Sequence, residues 1–159
     1  MIHIACCTNE ILAPIFGVVV TSVGINVTSD DVTIHLLHNS LRSRTVKRLQ
    51  KIAAKYKVDL DLKQIDTDIL KDFYFDKSKH YGNVMMFARL LLSSVLPDLD
   101  KIIYLDCDIV VLNDLQSLWN FDVSDVAVAM APDFTLKDKS TLNRLGITTG
   151  YYLNSGVIL

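Results

Sequence analysis

Tyr104-Leu105-Asp106-Cys107-Asp108-Ile109-Val110-Val111 sets two carboxylates one residue apart directly after an apolar run. In an extended segment residues two apart share a side, so Asp106 and Asp108 can present both carboxylates to one point. Carboxylates brought together raise each other's pKa unless a cation sits between them. Hard oxygen donors of this kind select Mg2+ or Mn2+ over Zn2+, which prefers His and Cys. At the carboxyl end of a parallel strand the pair would occupy the crevice where open α/β sheets bind ligands. A metal held there would bridge a nucleotide diphosphate and act as a Lewis acid on the departing oxygens. Spacing alone also permits a plainer reading, two aspartates capping a strand-to-helix turn.

The other reactive side chains offer less. His35 and His38 lie three apart on an expected strand and face opposite sides, which excludes a zinc pair. His3 and His80 stand alone. The six glycines are scattered, with neither a Walker loop nor GxGxxG. No Ser or Cys sits in a nucleophile elbow. Aspartyl-phosphate chemistry wants a Ser or Thr soon after the second aspartate, and here Ile109 and Val110 follow. Cys6, Cys7 and Cys107 are an odd count without CxxC spacing, which fits a reducing compartment.

The elements that must position Asp106 and Asp108 follow from periodicity. Ile2 to Cys7 reads as a buried strand, followed by an apolar helix from about Ala13 to Asn26, expected to be buried. Val32 to His38 reads as a second strand and Arg42 to Lys57 as an amphipathic helix. Val58 to Ile65 alternates like a half-buried third strand. Strand and helix alternating in this way indicate a parallel α/β sheet. Asp66 to His80 is expected as a loop with a short helical piece. Asn83 to Leu96 is apolar nearly all round, as a helix buried in a core would be, and Pro97 stops it. Lys101 to Leu105 is a strand running straight into Asp106. A short helix through Trp119 has Asn113 and Asp114 as cap candidates. Asp125 to Ala131 reads as a strand, Thr135 to Thr149 as loop, and Tyr151 to Leu159 as a segment ending in mid-strand. That ending leads to the expectation of a fragment or truncated copy of a longer protein.

Composition narrows the classes. The 159 residues suit one domain, half of them apolar, and disorder is excluded. With 16 basic against 18 acidic residues, no electrostatic reason for nucleic-acid binding exists. Glu10 is the single glutamate among those acids; aspartate favours turns, strand ends, caps and hard-metal sites. The uncharged run Ile11 to Ser29 is broken by Pro14, Gly17 and Gly24 and reads as a buried helix rather than a signal or membrane segment. The basic residues of Arg42 to Lys57 read as a solvated helix face, with membrane-surface docking as the second reading.

Taken together, Ile-Ala-Cys-Cys-Thr-Asn-Glu at the first strand and turn, Phe87-Ala88-Arg89-Leu90, Lys101 through Val111, Ala131-Pro132-Asp133 and Tyr152-Leu153-Asn154-Ser155-Gly156-Val157-Ile158-Leu159 resemble glycosyltransferase family 8. The match runs over the whole chain in the family's order. The family comprises retaining, UDP-sugar-dependent galactosyltransferases and glucosyltransferases of bacterial lipopolysaccharide and cell-surface glycan synthesis, and the chain resembles their N-terminal portion. The resemblance implies an α/β GT-A fold, Rossmann-like and mostly parallel, truncated at the C-terminus: a single incomplete catalytic domain over 1–159. It implies Mn2+ (or Mg2+) on Asp106 and Asp108 and, through it, the UDP diphosphate, with Cys107 counted in the nucleotide-binding set. Thr8 and Asn9 would lie against the uridine, with Ala5 and Cys6 leading into that wall. Arg89 and Asn154 would contact the donor sugar or its phosphate, and Asp133 would face the sugar side; these three form the expected catalytic set. Partners would be a UDP-sugar and a saccharide or lipid-linked acceptor, with no nucleic acid. The expected location is the cytoplasm, with peripheral association at the inner face of the membrane as its variant.

Two departures from the family pattern stand out. Asn9, Glu10, Ile11 and Leu12 occupy the turn where the family usually has acidic residues followed by Asn-Tyr. A lost stacking tyrosine costs about 1 kcal/mol of base binding. The family's third metal ligand is a histidine of a C-terminal segment that follows the part matched by this chain. These departures motivate the alternative of a truncated, catalytically inactive homologue that only binds nucleotide or a partner.

Overall fold

The computed structural model describes residues 1–28, 31–70, 84–135, 138–148 and 150–159. Four strands run parallel: β1 (Ile2–Thr8), β2 (Val32–His38), β3 (Asp59–Gln64) and β4 (Ile103–Leu105). Two more, β5 (Met130–Asp133) and β6 (Tyr152–Ile158), complete one sheet in the order β3-β2-β1-β4-β6-β5. β6 runs antiparallel to both β4 and β5. The fold is therefore α/β with a mostly parallel sheet, as the alternation of elements indicated. β1 and β2 are interior and covered on both faces, which is why they read as near-continuous apolar runs. β3 sits at the edge, where Asp59, Asp61 and Lys63 charge a strand that would otherwise offer itself for pairing.

Helices α1 (Ala13–Asn26) and α2 (Ser43–Lys55) cover one face. Phe16, Val19, Val20 and Val23 of α1 pack with Leu49 and Ala53 of α2 on Ile2, Ile4, Ile34 and Leu36 of the sheet. Pro14 falls in the first turn of α1, where its missing N–H breaks no helical bond. Expected to be buried, α1 is covered on one side only, and Ile15, Val18 and Ile25 are exposed. Among the described residues no helix is long and apolar enough to cross a membrane. Gly24 has a packing role: a Cβ there would stand 2.4 Å from Tyr56 Cβ, so the bare backbone lets α1 approach the end of α2.

α2 starts without a capping side chain of its own. Glu10, the single glutamate, supplies the cap from the turn after β1: its Oε2 accepts the Arg42 N–H at 2.9 Å and its Oε1 the Thr45 hydroxyl at 2.7 Å. A carboxylate at a helix N-terminus also meets the positive end of the helix dipole.

The opposite face, toward the carboxyl ends of the strands, is covered by Val84–Leu91 running into α3 (Leu92–Val95). In place of one buried α-helix from Asn83, the first eight residues form tight 3-10 turns, and Asn83 itself lies outside the described residues. Such turns bring every third residue into line. Met85 and Ala88 thereby make one buried row on Ala5, Cys7, Leu37 and Tyr104, and Arg89 falls on the next row. Leu90 is exposed, so the segment is not buried all round.

Further differences from the sequence expectations lie in the second half. β5 begins at Met130 rather than near Asp125. The short helix α4 (Gln116–Trp119) forms as expected, with Asp114 accepting the Gln116 N–H. The stretch read as loop contains α5 (Lys139–Arg144), started by Asp138, whose carboxylate accepts the Ser140 and Thr141 N–H groups. Of the Asp66 to His80 loop, the short helical piece is Thr67–Leu70, and residues 71–80 lie outside the described residues. His3 is not isolated: its Nδ1 meets His35 Nε2 at 3.1 Å, and His35 Nδ1 meets Asp61 Oδ2 at 2.8 Å. His35 and His38 do lie on opposite faces of β2, as the alternation of a strand requires.

Candidate active site at the carboxyl ends of β1 and β4

Asp106 follows β4 directly, at the edge of the sheet where β1 also ends. The segment after it is a turn, closed by the Ile109 N–H on the Asp106 carbonyl at 3.2 Å, and not the extended run that spacing suggested. Asp108 is exposed on that turn, so any meeting of the two carboxylates comes from the turn rather than from strand periodicity.

The Asp106 carboxylate is anchored at one oxygen. Its Oδ1 accepts Arg89 Nη2 at 2.7 Å and the Tyr104 hydroxyl at 2.8 Å. Arg89 also donates through Nε to Met86 O at 2.9 Å and through Nη1 to Ser155 O at 2.5 Å, and its guanidinium lies 4.6 Å over the Tyr104 ring. The arginine assigned to the donor sugar is thus first a brace for Asp106, tying the 84–91 segment to β4 and β6. Burial pushes the Tyr104 hydroxyl far above its usual pKa, so it stays a donor. Burial likewise raises the Cys7 thiol to about 12, with Arg89 partly offsetting it.

β6 closes the other side. Gly156 O accepts the Asp106 N–H at 2.8 Å, and the Gly156 N–H donates to Asn154 Oδ1 at 2.8 Å. Thr8 reaches Cys107 between the ends of β1 and β4, and burial, followed by Asp108 and Asp106, raises that thiol's pKa. Asn9 forms the turn into α1, its Oδ1 accepting the Ile11 and Leu12 N–H groups at 3.0 Å each.

The expected site residues therefore divide. Arg89, Asp106, Cys107, Asp108, Thr8 and Asn154 gather around the end of β4. Ala5, Cys6 and Thr8 are wholly buried, backbone included. Asp133 is farther off: it pairs with Tyr152, four residues along β6 from Gly156, which is about 13 Å of strand. Its Oδ1 accepts both the N–H and the hydroxyl of Thr135. Tyr104 and Gly156 join the site without a role legible in the sequence, because the signal for both is adjacency to Asp106 in a sheet whose pairing the sequence does not state.

The donor set of Asp106 and Asp108 is chemically that of a hard cation, with Oδ1 of Asp106 committed to protein donors and Oδ2 lying toward Gly156. Among the described residues no group of three His, Cys, Asp or Glu converges. A cavity of about 550 Å³ opens beside Arg89, Tyr104 and Ser155, but Leu96, Val126 and Ile158 make its walls apolar and unsuited to a diphosphate.

Comparison with known proteins agrees with this arrangement. The model of the family described as "Glycosyl transferase family 8" matches residues 3–159. General stress protein A of Bacillus subtilis is 25% identical over all of this chain and 55% of its own length. The lipopolysaccharide 1,2-glucosyltransferase of Escherichia coli is 23% identical over 89% of this chain and 42% of its own. The crystal structure of the galactosyltransferase LgtC with donor and acceptor sugar analogues superposes with a TM-score of 0.90 at 21% identity, over 99% of this chain and 56% of that one. The WbbM bifunctional glycosyltransferase gives 0.81 at 17% identity. The fold is that of the GT-A glycosyltransferases, and the chain spans about half the length of the relatives it matches throughout. A family match over nearly every residue, on a sheet that places Asp106 at the carboxyl ends of its parallel strands, carries one conclusion: this chain belongs to glycosyl transferase family 8.

Proposed function

We propose that residues 1–159 form the nucleotide- and metal-binding portion of a hexosyltransferase. It moves a hexose from a UDP-sugar to a saccharide or lipid-linked acceptor, with retention of configuration. The observation that supports this reading most is the braced carboxylate of Asp106 at the end of a parallel strand, in a chain of this family. Asp106 and Asp108 hold Mn2+ or Mg2+, which when bound draws off the charge developing on the departing diphosphate. Thr8 and Asn9 lie against the uridine, with Ala5 and Cys6 leading into that wall, and Cys107 belongs to the nucleotide-binding set. Arg89 holds the Asp106 carboxylate in place, while Asn154 and Asp133 face the sugar. Activity belongs to the cytoplasm, and the exposed lysines and arginines of α2 suit an anionic membrane surface if the acceptor is lipid-linked.

Ile11 and Leu12, in the turn where the family usually has Asn-Tyr, favour, as a second reading, a chain that only binds nucleotide or a partner, without turnover. Incubation with UDP-glucose or UDP-galactose and Mn2+ separates the two. Release of UDP that Asp106→Asn abolishes supports the transferase. UDP binding without release supports the second reading.

A further inference from the structure

The two oxygens of Asp106 are treated differently by the fold. Oδ1 is saturated by Arg89 Nη2 and the Tyr104 hydroxyl. On the other side, a Cβ at position 156 would lie 3.2 Å from Asp106 Oδ2 and 3.1 Å from Asn154 Oδ1, closer than carbon and oxygen ordinarily pack. Glycine is not required there by backbone angle, since only Gly146 and Gly150 have positive φ among the described glycines. The backbone of Gly156 nevertheless bonds to both neighbours, to the Asp106 N–H through its carbonyl and to Asn154 Oδ1 through its N–H. What glycine contributes is therefore close approach, since a side chain at 156 would press on both Asp106 Oδ2 and Asn154 Oδ1.

We propose that Gly156 is a positioning residue that keeps Asp106 Oδ2 open for a divalent cation, while Arg89 and Tyr104 hold Oδ1 and fix the plane of the carboxylate. The proposal rests on the reading of Asp106 as a metal ligand. A methyl group at 156 displaces Oδ2 or Asn154 Oδ1 by a few tenths of an ångström, and metal–ligand distances tolerate only about 0.2 Å. Loosening Oδ1 lets the carboxylate rotate away from the same geometry.

Mn2+ binding to the whole chain in the presence of UDP, followed by the electron paramagnetic resonance of free Mn2+, tests this. Gly156→Ala is expected to weaken Mn2+ at least about tenfold while unfolding cooperatively like the parent. Tyr104→Phe, which leaves the backbone untouched, is expected to weaken it several-fold and supplies the answer if Gly156→Ala does not fold. Parent-like Mn2+ affinity in a folded Gly156→Ala, or in Tyr104→Phe, overturns the division of labour while leaving Asp106 as a ligand. A parent that binds no Mn2+, indistinguishable from Asp106→Asn, overturns the underlying metal reading and this inference with it.

Discussion

Arg89 Nη2 stands 2.7 Å from Asp106 Oδ1, and the arginine reaches that point from a different element of the fold. The pair is largely shielded from water, with the arginine side chain 15% exposed and the aspartate 32%. Truncating one partner leaves the other charge poorly solvated and unpaired. Arg89→Met is expected to destabilise the chain by about 1–3 kcal/mol and Tyr104→Phe by about 1 kcal/mol. Because both donors meet the same oxygen, the double variant should lose less than the sum of the two. Urea unfolding of the four proteins in a double-mutant cycle reads the coupling, and strict additivity contradicts a shared brace.

Glu10 joins the turn after β1 to the start of α2, and its bonds to the Arg42 N–H and the Thr45 hydroxyl hold its carboxyl below the usual range. Glu10→Ala removes the cap and the favourable charge at the helix N-terminus together. Its thermal midpoint should fall by a few degrees, with faster amide exchange in the first turn of α2. Glu10→Gln, which keeps one acceptor oxygen, should fall less. Unchanged exchange in that turn in Glu10→Ala would show that the cap does not hold the helix.

Acid should weaken the fold before any carboxylate titrates. His3 is held below the usual histidine range by burial, then by His35 and the N-terminal amine, and His38 by burial, with its buried Nδ1 lacking a partner among the described residues. The unfolded chain therefore binds more protons than the native one once pH drops below about 6.5. Their contribution to stability is complete above that pH and is lost as pH falls through the two lowered values. Asp61, lowered by its bonds to His35 and Lys63 although partial burial opposes them, loses stability in the same direction below its own ordinary value. Urea midpoints should decline from about pH 7 to pH 5 and decline less in His3→Gln. A midpoint that rises over that interval contradicts the burial of neutral histidines.

Much of this was legible in the residues. Apolar runs as continuous as Ile2–Thr8 and Val32–His38 leave few alternatives to interior parallel strands, and the 3.6-residue period of Val46, Leu49, Ile52 and Ala53 fixes α2. The placement of Asp106 at a strand end was equally readable. Periodicity does not state which strands lie side by side, so neither the pairing that brings Gly156 to Asp106 nor the meeting of His3 with His35 follows from it. The helix started by Asp138 is only six residues long and polar, and its signal is one cap rather than a pattern. Arg89 was assigned to the ligand because nothing in one dimension shows that three of its nitrogens are already engaged by the protein.

The central claim is that Asp106 and Asp108 bind UDP through a divalent cation. Calorimetric titration of UDP into the whole chain, with Mn2+ and then with EDTA, tests it most directly. Saturable binding that requires Mn2+ and disappears in Asp106→Asn and Asp108→Asn is the predicted result. UDP binding of equal strength with EDTA, or in both variants, would contradict it.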